Sequence, residues 1–176
     1  NWCSFCNLFN MEILTKSTEE TKEFGRKFGA DINRNWGSGN KNQATVLALT
    51  GELGSGKTTF VQGLAEGLGL KSRIISPTFI LVRKYGIPIS NISPSPRLSR
   101  AGGEYPISNF YHIDLYRLEK NIEDEVKNLG IEDFWKSPEN VIVIEWAEKI
   151  KSMIPKSAIW IKFKNLGEDK RRILVE

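Results

Sequence analysis

Two short stretches of the chain are apolar almost without interruption. Thr45-Val46-Leu47-Ala48-Leu49-Thr50 is one, and Val141-Ile142-Val143-Ile144, which stops abruptly at Glu145, is the other. Strands of a parallel sheet show this pattern when both of their faces are covered. Elsewhere the period lengthens. Ser17-Thr18-Glu19-Glu20 has the form of a capping box, and Thr21, Phe24, Phe28 and Ile32 then recur at helical spacing, which predicts a first helix reaching the low thirties. Phe60, Val61, Leu64, Leu68 and Leu70 give a second helix its stripe, ended by Gly67 and Gly69. Ile74 and Ile75 lead through Ser76-Pro77-Thr78 to a strand over residues 79–85. Residues 110–116 alternate, with Tyr111, Ile113 and Leu115 on one face and His112, Asp114 and Tyr116 on the other. A short helix over 121–129 follows, and residues 158–164 and 171–175 form a closing hairpin around Asn165-Leu166-Gly167-Glu168-Asp169. No internal repeat is visible.

Strand, loop and helix in this order, with Gly51 to Thr58 matching GxxxxGK[ST] in the loop, predict an α/β fold: three layers built like a P-loop NTPase, with a mainly parallel sheet and an antiparallel hairpin at its edge. The length of 176 residues, with 40% hydrophobic and 26% charged positions, suits one domain and excludes a disulfide-dense scaffold. We assign that domain to residues 11–176 and read residues 1–10 as an extension outside it. Cys3-Ser4-Phe5-Cys6 has redox or half-zinc spacing, but no second such pair follows and His112 is the only histidine, so a metal centre there lacks ligands. Residues 37–42 read as a loop. Residues 86–109 hold four of the seven prolines and few charges, and read as an irregular insertion. The net charge of +4 permits contact with nucleic acid without demanding it; the densest basic cluster, Lys170-Arg171-Arg172, reads as a solvated turn. No run approaches the roughly 18 apolar residues of a membrane span, so no membrane contact and a cytoplasmic location are expected.

The chemistry is concentrated after the first apolar run. Gly51-Glu52-Leu53-Gly54-Ser55-Gly56-Lys57-Thr58 satisfies GxxxxGK[ST] and lies between a predicted strand and a predicted helix, the context that the pattern requires. Glycines let the backbone wrap a phosphate, and successive N–H groups converge at a helix N-terminus where the dipole favours anions. Lys57 is placed to span β- and γ-phosphates, and the Thr58 hydroxyl to complete the coordination of Mg²⁺. Such a loop needs a carboxylate near the metal. Asp114 and Glu145 both stand at strand ends after apolar residues, one of them to hold Mg²⁺ and the other to orient water, and the spacing does not assign which does which. Thr78 is placed to add a hydroxyl in the manner of a switch threonine. No arginine flanks Gly51–Thr59, and Arg117 is the only arginine at a predicted active-site strand end.

Gly51–Thr59, Ser76-Pro77-Thr78-Phe79, His112-Ile113-Asp114-Leu115-Tyr116-Arg117-Leu118 and Glu145-Trp146 resemble, in order, the motifs of the TsaE (YjeE) family. Leu129-Gly130-Ile131-Glu132-Asp133 adds to the likeness, which covers roughly residues 15–165. The resemblance implies an ATPase of tRNA threonylcarbamoyladenosine biosynthesis. Its partners would be the TsaD and TsaB proteins, and it would reach tRNA position 37 only indirectly, through that complex. It maps the residues of the phosphate loop, Gly51 to Thr59, to ATP and Lys57 and Thr58 to phosphate and Mg²⁺. Thr78 becomes the switch-like threonine, Asp114 the carboxylate of the HxD segment, and Glu145 with Trp146 the nucleotide-proximal pair. Two departures stand out: Ala147 occupies the place where the family usually has proline, and the 86–109 stretch is longer than usual.

Three rivals differ in chemistry. A small-molecule kinase would need an arginine-rich lid and a substrate-binding arginine pair, which the sequence lacks. A regulatory GTPase would need an NKxD segment and the glycine that Asp114-Leu115-Tyr116-Arg117 does not have. A nucleotide-dependent assembly scaffold, driven by binding and not by hydrolysis, remains open.

Overall fold

The computed structural model describes residues 10–34, 43–72, 74–88 and 107–176. The Cys3–Cys6 pair, the 37–42 loop and the middle of the 86–109 insertion lie outside the described residues. The chain runs β1 (Met11–Thr15), α1 (Thr18–Arg34), β2 (Thr45–Thr50), α2 (Lys57–Gly67), β3 (Val82–Gly86), β4 (Asn109–Asp114), α3 (Ile122–Asn128), α4 (Ile131–Phe134), β5 (Asn140–Glu145), a 3₁₀ turn (Ala147–Ile150), β6 (Ile159–Asn165) and β7 (Arg171–Val175). All seven strands join one sheet in the order β1-β7-β6-β2-β5-β4-β3. The four central strands, β6, β2, β5 and β4, are parallel, and antiparallel strands close both flanks.

Period-two alternation within the central strands builds the layers. Leu47 and Leu49 of β2, Val141 and Val143 of β5 and Phe110 of β4 pack with Phe28 of α1 and Phe60 and Leu64 of α2. Their neighbours Val46, Ala48, Ile142, Ile144, Tyr111 and Ile113 face the other way, toward Val126 of α3, Ile131 of α4 and Ile150. The same alternation places His112, Asp114 and Glu145 on the α2 side, because they continue the Phe110 and Val141–Val143 series. Parallel registry matches Asp114 with Glu145, and Glu145 with Leu49 just before the glycine loop. Both acids therefore end level with that loop.

The first helix starts as its capping box requires: Glu20 N–H donates to Ser17 Oγ at 3.1 Å. The Glu20 carboxylate in turn accepts from Lys16 N–H at 2.7 Å. Its contact with α2 is made backbone to backbone. A Cβ on Gly25 would lie 2.2 Å from the Phe60 carbonyl oxygen, and one on Gly63 would lie 1.9 Å from that of Lys22. Gly67, which the sequence marks as a helix terminator, is the last residue of α2 and also part of this contact, since a Cβ there would meet Arg26 O at 2.1 Å.

Three elements differ from the sequence reading. Met11–Thr15 is a strand, paired antiparallel to β7, so β1 and not the β6–β7 hairpin is the outermost strand on that flank. Its alternation of half-buried and exposed positions is short and lies beside the helix cap, where helical periodicity dominates the pattern. The strand expected over 79–85 begins only at Val82, because Phe79 and Ile80 form an exposed turn closed by Leu81 N–H to Pro77 O at 2.7 Å. The ends of the 86–109 stretch are ordered: Gly86 pairs with Asn109, and Ile87 N–H donates to Ser108 O at 2.9 Å.

Replacing Gly63 with Ala forces α1 and α2 apart, a small-to-large change of the kind that costs roughly 1–3 kcal/mol. We expect a melting midpoint lower by about 4–8 °C, taking ~2 kcal/mol and ~2–4 °C per kcal/mol for a domain of this size. An unshifted midpoint would show that the helices are not held at backbone distance.

Candidate functional site

Gly51 to Gly56 connect β2 to α2, and their backbone explains the glycines. Gly51 has φ 135° and lies so close to β6 that a Cβ would meet Phe163 O at 2.3 Å. Gly56, at φ 100°, is the N-cap of α2 and carries no side chain to occupy the first-turn amides. An open helix N-terminus behind a glycine loop is an anion site in waiting. Lys57 is buried, with Nζ donating to Gly51 O at 2.6 Å and Glu52 O at 2.9 Å, and standing 4.2 Å from the Trp146 ring centroid. Burial pushes its ammonium below the ordinary lysine value, opposed by the charges of Glu145, Glu148, Asp114 and Glu52. The ammonium thus occupies the loop's own carbonyls and is poorly solvated, which suits it to meet phosphate oxygens.

The two strand-end carboxylates have separate partners. Glu145, 2% exposed, accepts the Thr58 hydroxyl between its two oxygens, at 3.0 and 2.9 Å, and its Oε1 lies 2.8 Å from His112 Nε2. Asp114, 3% exposed, accepts from Ser76 Oγ and Thr78 Oγ1, both at 2.6 Å to Oδ2, and from Tyr116 N–H at 3.0 Å to Oδ1. Glu145 therefore belongs with the phosphate loop, and Asp114 with the Ser76–Thr78 segment. Ser76 and His112 are members that sequence reasoning left out. For His112 the signal was present, as the inward face of β4, but only the parallel pairing of β4 with β5 supplies its partner.

Trp146 follows Glu145 at φ 62°, a left-handed conformation uncommon for a bulky residue. The indole is held by Tyr116, at 5.2 Å between ring centroids, and by Lys57. Lys149 supports the same corner by donating to the carbonyls of Leu115, Tyr116 and Leu118 at 3.0, 2.7 and 2.8 Å. Ala147, where the family usually has proline, is buried at the start of the 3₁₀ turn. Arg117 stacks on Phe79, with 3.9 Å from Cζ to the ring centroid.

A cavity of about 320 Å³ joins these groups. Leu53 to Thr59, Thr78, Asp114, Glu145 and Trp146 line it, while Gly51 and Glu52 lie behind it as acceptors for Lys57. The expected site residues are thus brought together. The cavity also holds an arginine where the sequence reading found none: Arg171, from the basic cluster read as a solvated turn, lines it beside Thr18 and Thr21. No local signal marks Arg171, since its approach depends on β7 lying two strands from β2.

As a metal site the arrangement offers hydroxyl and carboxylate oxygens only, from Thr58, Thr78, Ser76, Asp114 and Glu145, which is donor chemistry for a hard divalent cation. Among the described residues no three His, Cys, Asp or Glu side chains form a cage by themselves. Mg²⁺ is usually bound through one or two carboxylates together with substrate phosphates and water, and Glu145 and Asp114 are the two carboxylates that line the cavity.

The model of the family described as "Threonylcarbamoyl adenosine biosynthesis protein TsaE" matches residues 15–173. A relative from Rickettsia bellii, called tRNA threonylcarbamoyladenosine biosynthesis protein TsaE, is 33% identical over 165 residues, covering 93% of each chain. One of the same name from Bacillus subtilis is 36% identical over 128 residues, 73% of this chain and 66% of its own length. Among solved structures, the crystal structure of Bacillus subtilis YdiB superposes with a TM-score of 0.63 at 27% identity, covering 94% of this chain and 84% of that one. Among the described residues no helix is long and apolar enough to cross a membrane. With the glycine loop, the paired acids and the Glu145-Trp146 corner carried on the matching fold, the chain belongs to the TsaE family of tRNA threonylcarbamoyladenosine biosynthesis.

Proposed function

We propose that this chain is a Mg²⁺-dependent ATPase that works with TsaD and TsaB to sustain transfer of a threonylcarbamoyl group to adenosine 37 of tRNA. The observation that carries the reading is one cavity bounded by the open N-terminus of α2 on one side and by the Thr58–Glu145 and Thr78–Asp114 pairs on the other. The triphosphate lies in the loop, with Lys57 leaving its carbonyl partners to meet the β- and γ-oxygens. Thr58 and Glu145 would hold Mg²⁺, which would supply charge neutralisation for the phosphates. Asp114 orients the attacking water, with Ser76 and Thr78 fixing the carboxylate. Trp146 covers Lys57 and keeps bulk water from it. Little covalent work falls to the protein, so positioning and charge neutralisation supply the rate.

Lys57→Ala is expected largely to abolish ATP binding measured by calorimetry while the protein stays folded. Full affinity in the folded variant would overturn the phosphate site. Asp114→Asn and Glu145→Gln are each expected to keep most nucleotide affinity and lower turnover by roughly 10²-fold or more, the scale of a lost positioned acid–base group. Wild-type rates in both would remove the two acids from the chemistry.

Partner dependence is tested by turnover with and without the TsaD–TsaB complex. We expect slow hydrolysis by the isolated chain and marked acceleration by the partners, because a charge supplied in trans is worth about 10³-fold or more in P-loop systems. An unchanged rate at saturating partner would refute partner gating. Complex formation compared in ATP, ADP and a non-hydrolysable analogue separates this reading from a scaffold, which would assemble fully with the analogue and need no turnover.

A further inference from the structure

The turn after β4 and the 3₁₀ turn after β5 lie side by side, because the parallel register that pairs Asp114 with Glu145 brings both strands to the same level. One further bond joins them past the strand ends, Leu115 N–H to Glu145 O at 3.2 Å. Beyond it the two chains part. Residues 115–118 close a turn of their own, with Leu118 N–H on Leu115 O at 3.1 Å, while Trp146 leads into Ala147–Ile150.

Lys149 bridges the gap. An ammonium has three N–H donors and no acceptor, and here three main-chain carbonyls of the β4 turn meet it: Leu115 O at 3.0 Å, Tyr116 O at 2.7 Å and Leu118 O at 2.8 Å. Hydrogen bonds from a charged donor are stronger than those between neutral groups, so the set fixes the turn against the end of β5. The lysine is half-buried, and its own N–H donates to Trp146 O at 3.1 Å. Lys149 stands behind the cavity wall, of which Tyr116 and Asp114 form part. Tyr116, whose carbonyl receives the shortest of the three bonds, donates its N–H to Asp114 Oδ1 at 3.0 Å. That is the carboxylate oxygen left to it by Ser76 and Thr78, which both donate to Oδ2.

Resting on the water-orienting role given to Asp114 above, we propose that Lys149 is a positioning residue for hydrolysis. It holds the 115–118 turn, the turn holds Tyr116 N–H on Oδ1, and the carboxylate is thereby fixed at both oxygens. Bound at one oxygen alone, a carboxylate pivots about it. Bound at both, its plane and direction are set, and misplacing a reacting group by about 1 Å can cost 10²-fold in rate. Lys149 touches none of the reacting atoms, so its loss acts on turnover and spares the phosphate binding that Lys57 and the α2 N-terminus provide.

The test compares Lys149→Met, Asp114→Asn and the double variant, with ATP affinity of the chain read by calorimetry and turnover read with the TsaD–TsaB complex present. We expect Lys149→Met to lower turnover by roughly 10- to 10²-fold, with ATP affinity and the melting midpoint close to wild type. The double variant is expected to turn over no more slowly than Asp114→Asn alone, because residues that act as one unit do not add. Should Lys149→Met be unfolded, Lys149→Gln, whose amide cannot reach all three carbonyls, is held to the same criteria. Three results would overturn the proposal: wild-type turnover in the lysine variant, a loss of ATP affinity that matches the loss of turnover, or a double variant slowed by the product of the two single effects. Wild-type turnover in Asp114→Asn would instead remove Asp114 from the chemistry, and this role of Lys149 with it.

Discussion

The buried carboxylate of Glu145 is the constraint around which the site is arranged. It ends a strand whose four preceding residues, Val141 to Ile144, are apolar and fully covered, and only 2% of it is exposed. Taking an ionised carboxylate out of water costs several kcal/mol unless its oxygens are satisfied. Here they are satisfied by one shared Thr58 hydroxyl and by His112 Nε2, bonds that to a charged group contribute about 1.5–3 kcal/mol each. Those partners come from the first turn of α2 and from the middle of β4. A single side chain thus ties three elements together, and the glycine loop is pinned to the acid strand by the same interaction that makes the acid tolerable there.

The close contact of α1 with α2 acts on the other flank. Glycines at 25 and 29 on one helix and at 63 and 67 on the other bring the backbones together without intervening side chains. Because the helices touch at this distance, the first turn of α1 reaches the N-terminus of α2, where a Cβ added at Gly56 would lie 3.5 Å from Thr21 Cγ2. Thr15 and Thr21 bond through their hydroxyls at 2.8 Å, linking that turn to the edge strand β1. Packing that looks remote from the chemistry therefore shapes one wall of the cavity.

At the opposite wall the backbone is strained and supported. Trp146 sits in a left-handed conformation that costs roughly 1–2 kcal/mol for a residue with a Cβ. Tyr116, Lys57 and the Lys149 clamp on three carbonyls hold it there. This support explains how Ala147 can stand where the family usually has proline: the indole is oriented by contacts from the turn after β4 and from α2, and not by a rigid ring after it.

Much of this was legible along the chain because the relevant signals are local. Apolar runs at 45–50 and 141–144 marked buried parallel strands, since a strand covered on both faces has no polar position to alternate with. The glycine loop announced itself by spacing, because its backbone must adopt positive φ at fixed intervals around an anion. Period-two alternation even placed Asp114 and His112 on one face of β4. What tertiary structure alone decided was partnership. Thr58 with Glu145, Ser76 and Thr78 with Asp114, and His112 with Glu145 are pairs separated by 33 to 87 positions or united only by strand order. Arg171 reaches the loop for the same reason: the sheet order β7-β6-β2 brings to one place residues more than a hundred positions apart. Local pattern determines which residues are buried and in what conformation, whereas long-range pairing, whose energy depends on contacts that no local window contains, determines which of them meet.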